Sequence, residues 1–217
     1  ILDLAGGTGY NSNFIQEYND YSIDLVDISK QMLKQCQNSS INKVCKGMLE
    51  FLTVQESCCY DAIVCTWALM YEQPQKVLNQ CQRLLKNGGY LYILVNDQQT
   101  LPQIRKIYPK LLIEYVDSIN KLMFDLPMPN NAQQLERWAK KAGLKNCRVT
   151  SKKQEFYFTD WNRAAKFVTS TGALAGYDAM LDLKNEKIFN TLVEQLQKFF
   201  TKPCITHHFV MGIFKKG

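Results

Sequence analysis

The chain has 217 residues, 46% hydrophobic and 21% charged. That is enough apolar matter for one sizeable core and too much for a disordered chain. No apolar run reaches the ~18 residues that a transmembrane helix needs. The net charge of +6 is split unevenly: residues 1–100 carry 7 Lys/Arg against 10 Asp/Glu, and residues 101–217 carry 19 against 10. The positive excess therefore belongs to the second half, where it is compatible with a polyanion or an anionic small molecule as partner and equally with a plain solvated face.

Ile1–Leu4 is an apolar strand followed at once by a glycine turn. Asn13–Tyr18 is a predicted helix, and Tyr21–Val26 a second strand ending at Asp27. Ser29 then caps a helix with Met32, Leu33 and Cys36 on one face. Lys43–Lys46 and Ala62–Thr66 are predicted strands. Gln75–Lys86 is an amphipathic helix with Val77, Leu78, Cys81, Leu84 and Leu85 inward, and Asn87-Gly88-Gly89 is a C-cap signal. Tyr90–Val95 is the fifth strand. This alternation predicts an α/β fold, a parallel sheet with helices on both faces.

The second half is less regular. Residues 101–128 are helical and aromatic, Ala132–Ala142 is a helix stopped by Gly143, and Cys147–Phe158 is a long strand. Trp161–Ser170 and Asn185–Phe200 are helices separated by the segment 171–176, and Ile205–Phe214 is a final strand.

The eight cysteines include no C-x-x-C pair, and His207 and His208 are the only histidines, so no metal site is expected. Cys65 and Cys81 lie in apolar segments as reduced thiols, which fits a cytosol-like compartment. Ile1 lies already inside a strand. The expectation is a chain truncated at its start, which leaves a mitochondrial or other organellar address open.

The chemistry concentrates in Asp3-Leu4-Ala5-Gly6-Gly7-Thr8-Gly9. Glycines allow a tight turn and let a ligand approach main-chain N–H groups. Asp27 ends the next strand, where a carboxylate can accept hydrogen bonds from ribose hydroxyls. A nicotinamide-binding turn would read G-x-G-x-x-G; this one is D-x-A-x-G-x-G with the acid inside the strand. Further along the chain come Ile28-Ser29-x-x-Met32-Leu33, Tyr60-Asp61-Ala62-Ile63-Val64 and Leu84-Leu85-Lys86-Asn87-Gly88-Gly89-Tyr90-Leu91. Together these resemble the class I S-adenosylmethionine-dependent methyltransferases, from Ile1 to about Val95 and again over Ala132–Arg148.

The resemblance implies a Rossmann-like, doubly wound, mostly parallel seven-stranded sheet with an antiparallel last strand and a helical lid insert. It implies one methyltransferase domain over residues 1–217, with a cofactor-binding half at 1–100 and lid or substrate inserts at 101–130 and 159–202. It also implies S-adenosylmethionine as cofactor. Asp3 would order the turn near the methionine amino group, with Ala5, Gly6, Gly7 and Gly9 wrapping the methionine portion. Asp27 would hold the ribose, and Ile28 and Met32 would flank adenine. Met48 and Leu49 stand where the family often has Asp and Ala after glycine. Loss of the acid at Met48 removes one hydrogen bond, a cost of about 1 kcal/mol. Thr66 and Trp67 would approach the sulfonium end.

No Asn-Pro-Pro-aromatic tetrapeptide directly follows the fourth strand, and no Pro-Cys nucleophile directly follows the fourth or the fifth, which argues against nucleobase amino-methylation and cytosine C5 chemistry. Trp67 and Tyr71 are instead the candidate acceptor-positioning residues, as in small-molecule methyltransferases. Tyr115 and Trp161 are lesser candidates, and Asn96 and Asp97 end the fifth strand beside the ligand edge. His207 and His208 face opposite ways on a strand and receive no catalytic role. The insert with Phe167–Gly172 and Tyr177–Leu181 is similar in position to that of the trans-aconitate, biotin-pathway and juvenile-hormone acid methyltransferases, which methylate free carboxylates. The expected partner is a small-molecule acceptor. A methyltransferase of RNA or protein, and a non-catalytic subunit of a larger assembly, are the alternatives.

Overall fold

The computed structural model describes residues 1–120, 126–170, 174 and 177–217, the side chains of 178 and 179 excepted. The strands are β1 (Leu2–Leu4), β2 (Asp24–Asp27), β3 (Asn42–Cys45), β4 (Tyr60–Thr66), β5 (Leu85–Asn96), β6 (Leu144–Tyr157) and β7 (Cys204–Lys216). They form one seven-stranded sheet of order β3-β2-β1-β4-β5-β7-β6. The β1–β2, β2–β3, β1–β4 and β4–β5 pairs are parallel, and β7 runs antiparallel to β5. This is the doubly wound sheet with a reversed last strand that the resemblance implies. Its order reverses between β1 and β4, which marks a ligand crevice beyond the carboxyl ends of those strands.

The helices are α1 (Tyr10–Gln16), α2 (Lys30–Leu33), α3 (Met48–Val54), α4 (Pro74–Leu84), α5 (Pro102–Glu114), α6 (Ala132–Lys141), α7 (Trp161–Ser170), α8 (Tyr177–Met180) and α9 (Glu186–Phe199). None among the described residues is long and apolar enough to cross a membrane.

Several boundaries differ from the sequence reading. Helix α1 starts at Tyr10 rather than Asn13, because the Gly9 carbonyl already accepts the Asn13 N–H at 2.8 Å. Strand β2 starts at Asp24 rather than Tyr21, since Tyr21 turns back on the Asn19 carbonyl. The sequence reading placed no helix at α3; Glu50 accepts the Gly47 N–H there at 3.3 Å. Asn87-Gly88-Gly89 is not a helix cap: α4 ends at Leu84, and Leu85 already pairs with Tyr60 in the sheet. Of the predicted helix 101–128, α5 and a 3₁₀ turn over Val116–Ser118 are helical. Its residues 121–125, with Thr171 and Gly172 of the insert, lie outside the described residues.

The chain divides into two compact units, residues 1–98, 127–152 and 209–217, and residues 99–126 and 153–208. In the first unit one face of the sheet is sealed. Ile63, Cys65, Leu91, Ile93, Val95, Val210 and Phe214 are buried, as are Val77, Leu78, Cys81 and Leu84 of α4. Burial pushes the Cys65 thiol up to about 12 and the Cys81 thiol well above its ordinary value; both are free cysteines. The alternate positions of the same strands are more open, as the two-residue period requires, with Tyr90, Tyr92 and Met211 exposed. The second unit has its own core, in which Ile104, Tyr108 and Leu111 of α5 join Trp161 and Val168 of α7 and Leu192 and Leu196 of α9.

The spatial division also redistributes the charge. The second unit carries 11 Lys/Arg against 9 Asp/Glu, and the first 15 against 11. The positive excess sits in residues 127–152 and 209–217 of the first unit, where 8 basic residues face a single acid, Glu136.

Candidate functional site

The parallel register fixes which residues meet at the carboxyl edge. Leu4 lies beside Val26, Asp27 beside Cys45, Asp3 beside Val64, and Thr66 beside Leu94. The segments that leave these strand ends therefore converge: the turn Ala5–Gly9, Ile28 and Ser29, Gly47 and Met48, and Trp67.

The turn is held from below. Asp3 is fully buried, and its Oδ2 accepts the Ser12 N–H at 3.1 Å and the Ser12 hydroxyl at 2.7 Å. Its Oδ1 is buried and meets no hydrogen-bonding partner among the described residues. Burial raises the Asp3 carboxyl above the ordinary aspartate range, and the bonds from Ser12 oppose that rise. A Cβ at Gly6 would stand 2.5 Å from Asp3 Cγ and 2.5 Å from Leu25 Cδ1, so no other residue fits above the acid. Ala5 adopts φ +55°, Gly7 φ +58° and Gly9 φ +78°. Ala5 thus holds a left-handed conformation without glycine's freedom, at a cost of about 1 kcal/mol.

Asp27 reads the turn directly. Its Oδ2 accepts the Gly7 N–H at 2.9 Å and its Oδ1 the Ser29 N–H at 2.8 Å. A carboxylate offers about four acceptor positions, so two remain for a ligand. Ile28 is 78% exposed and Met32 43%, which leaves apolar surface open beside Asp27. Met48, by contrast, is buried as the first residue of α3, and Leu49 is half-buried.

At the end of β4 the Thr66 hydroxyl accepts from Asn11 Nδ2 at 2.9 Å, joining this strand to the first turn of α1. Trp67 comes next with φ +60°, an outlier for a bulky side chain. Its N–H donates to the Leu94 carbonyl, and its ring and that of Phe209 of β7 meet in a T-shaped contact at 5.4 Å and 71°. Trp67 is 40% exposed and Tyr71, at the end of the 3₁₀ turn Leu69–Tyr71, 53%. Asn96 and Asp97 are buried at the end of β5.

The first unit thus gathers Asp3, Ala5, Gly6, Gly7, Gly9, Asp27, Ile28, Met48, Thr66 and Trp67 along one strand edge. Tyr115 and Trp161 are instead core side chains of the second unit. The Tyr115 hydroxyl stands 2.6 Å from Thr191 Oγ1, and Trp161 packs on Phe200. His207 is buried between Phe156 and Phe167, and burial lowers its pKa. Three partners escaped the sequence reading: Ser12, Asn11 and Phe209. The first two had a local signal, polar residues on the helix that opens directly after the turn. Phe209 had none, being placed by the last strand.

A family model described as a methyltransferase domain matches residues 2–93. Among curated proteins, the ubiquinone/menaquinone biosynthesis C-methyltransferase UbiE of Francisella tularensis subsp. novicida is 28% identical over 132 residues, 57% of this chain and 53% of the relative. The malonyl-[acyl-carrier protein] O-methyltransferase of Herminiimonas arsenicoxydans is 28% identical over 112 residues, 51% of this chain and 42% of the relative. The chain therefore spans about half the length of the curated relatives it matches. Among solved structures, the geranyl diphosphate C-methyltransferase of Streptomyces coelicolor, held with S-adenosyl-L-homocysteine, aligns at a TM-score of 0.57 and 11% identity, over 100% of this chain and 72% of that one.

Proposed function

We propose that the chain is a class I S-adenosylmethionine-dependent methyltransferase, which binds that cofactor at the carboxyl edge of β1–β4 and methylates a small molecule; the methyltransferase-domain match and the curated relatives support this reading. The observation that carries this reading is the Asp27 carboxylate. It already orders Gly7 and Ser29 and has two acceptor positions left beside exposed Ile28 and Met32. The buried, unpartnered Asp3 Oδ1 fits the same reading, since it can take a bond from a ligand ammonium. When bound, the cofactor supplies an electrophilic methyl on a cationic sulfur.

The residues then divide the work. Asp27 holds the ribose hydroxyls, and Ile28 and Met32 flank the adenine, with Met48 and Leu49 at its edge. Asp3 and the backbone of Ala5, Gly6, Gly7 and Gly9 enclose the amino-acid end. Thr66 and Trp67 border the reacting centre, and Trp67 with Tyr71 positions the acceptor. The reaction is an in-line displacement, so positioning is the main task.

For the acceptor we favour a carboxylic acid, methylated on oxygen. A carboxylate is ionised near neutral pH and needs no base, and the first unit contains no histidine. The named activity of the Herminiimonas relative, an O-methyltransferase, points the same way.

Titration calorimetry with S-adenosylmethionine tests the cofactor site. A micromolar Kd is expected, weakened about tenfold or more in Asp27→Ala by loss of charge-assisted hydrogen bonds. Unchanged affinity in that variant would remove the site assignment. A panel of small carboxylic acids, read by mass spectrometry for methyl esters, tests the acceptor class. Methylation confined to nitrogen or carbon acceptors in a parallel panel would overturn it.

A further inference from the structure

We propose that Phe209 is a positioning residue that holds the Trp67 ring as a cation-selective wall at the reacting end of the cofactor site. The inference rests on the cofactor reading above and deepens it. Its basis is the conformation of Trp67. The backbone there is left-handed at φ +60°, which bulky side chains rarely adopt. Its N–H is tied to the Leu94 carbonyl, so the β4–β5 ladder continues through the left-handed residue. Side chains at such a position do not keep the alternation of the strand before it. Something must fix where the ring goes.

Phe209 supplies that constraint. Strand β7 pairs antiparallel with β5 so that Phe209 lies beside Asn96, just beyond the last β4–β5 pair at Thr66 and Leu94. Its ring meets Trp67 at 5.4 Å and 71°, the edge-to-face arrangement that aromatic quadrupoles favour. Beside this partner Trp67 remains 40% exposed. The neighbouring Thr66 is pinned by Asn11 from the glycine-turn side. The open indole surface is therefore held beside the strand end where the cofactor reading puts the sulfonium. Tryptophan is the side chain whose face attracts cations most strongly. A wall of this kind distinguishes a sulfonium from the neutral thioether left after methyl transfer, two ligands otherwise alike.

The test uses S-adenosylmethionine and S-adenosylhomocysteine as probes and needs no acceptor. Calorimetric Kd values for both are measured on the wild type, Phe209→Leu and Phe209→Tyr. Phe209→Leu is expected to weaken S-adenosylmethionine by about threefold or more relative to S-adenosylhomocysteine, whatever the wild-type ratio. S-adenosylhomocysteine affinity should hold, and Phe209→Tyr should restore the ratio. Fluorine NMR of 5-fluorotryptophan-labelled protein, with Trp67 assigned through Trp67→Phe, should show that resonance alone moving in Phe209→Leu. An unchanged ratio, or equal weakening of both ligands, would overturn the charge-selective role. A wild type that binds neither ligand would instead defeat the cofactor reading, and this inference with it.

Discussion

Gly7 and Gly9 share a left-handed backbone and differ in their surroundings. A Cβ on Gly9 would lie 2.9 Å from Cys36 Sγ and 2.9 Å from Leu25 Cδ2, whereas one on Gly7 would meet nothing within 4 Å. Gly7→Ala therefore faces only the conformational term, about 1 kcal/mol, while Gly9→Ala adds overpacking of about 1–3 kcal/mol. Thermal unfolding should rank the variants wild type, Gly7→Ala, Gly9→Ala. Cofactor binding should rank them differently, because the Cβ of Gly7→Ala projects into the open side of the turn. If Gly9→Ala unfolds at the wild-type temperature, the packing of Cys36 and Leu25 against the turn is not what selects glycine. Asp27 has a similar double duty. It orders the turn through Gly7 before any ligand arrives, so its removal should lower ligand-free stability as well as affinity.

At the scale of elements, what could be read from sequence was what local chemistry decides. The Ser29 cap was legible because its hydroxyl accepts from Met32 N three residues on, and helix α7 because its apolar face repeats with the helical period. The end of α4 was not. Its glycines look like a cap, yet the last carbonyls are satisfied by residues distant in sequence. Cys58 and Cys59 donate to Arg83 and Leu84, and the Lys216 ammonium donates to Arg83 and Leu85. With those acceptors filled, the chain is free to leave the helix at Leu85. The candidate site obeyed the same division: Asp3, Gly7 and Asp27 were legible, and Phe209 was not, because a contact between the fourth and seventh strands leaves no trace in spacing.

His207 carries a prediction at this scale, since it ties the second unit's part of β7 to β6 and α7 through Phe156 and Phe167. Its Nε2 is buried with no partner among the described residues, and burial holds its pKa below 6.5. The folded protein keeps this imidazole neutral while the unfolded chain takes up a proton near pH 6.5. Stability from this group is complete above that pH and is lost as the pH falls through it. The melting temperature should drop as pH is lowered from about 7.5 to about 5.5, and His207→Phe should lack that part of the slope. Parallel slopes for both proteins, tracked by circular dichroism, would show that another group governs the acid side.

Over the whole molecule, the uneven charge takes on a different meaning once the chain is divided in space. Residues 101–217 look like a basic acceptor half in sequence, but the second unit is nearly balanced. Much of the excess lies on α6 and along β6. The sheet order makes β6 an outer strand, and most of its residues are exposed. A strand in that place offers unpaired backbone N–H and C=O groups to any other extended chain, and lysine or arginine along it discourages such strand addition. Lys145, Arg148 and Lys152 are all on this strand, and at the opposite border β3 carries exposed Lys43. Replacing Lys145, Arg148 and Lys152 together by threonine should leave the melting temperature nearly unchanged and make sedimentation steeply concentration-dependent; identical sedimentation would remove the idea. The positive charge that first suggests a ligand then serves to keep the borders of the sheet unextended.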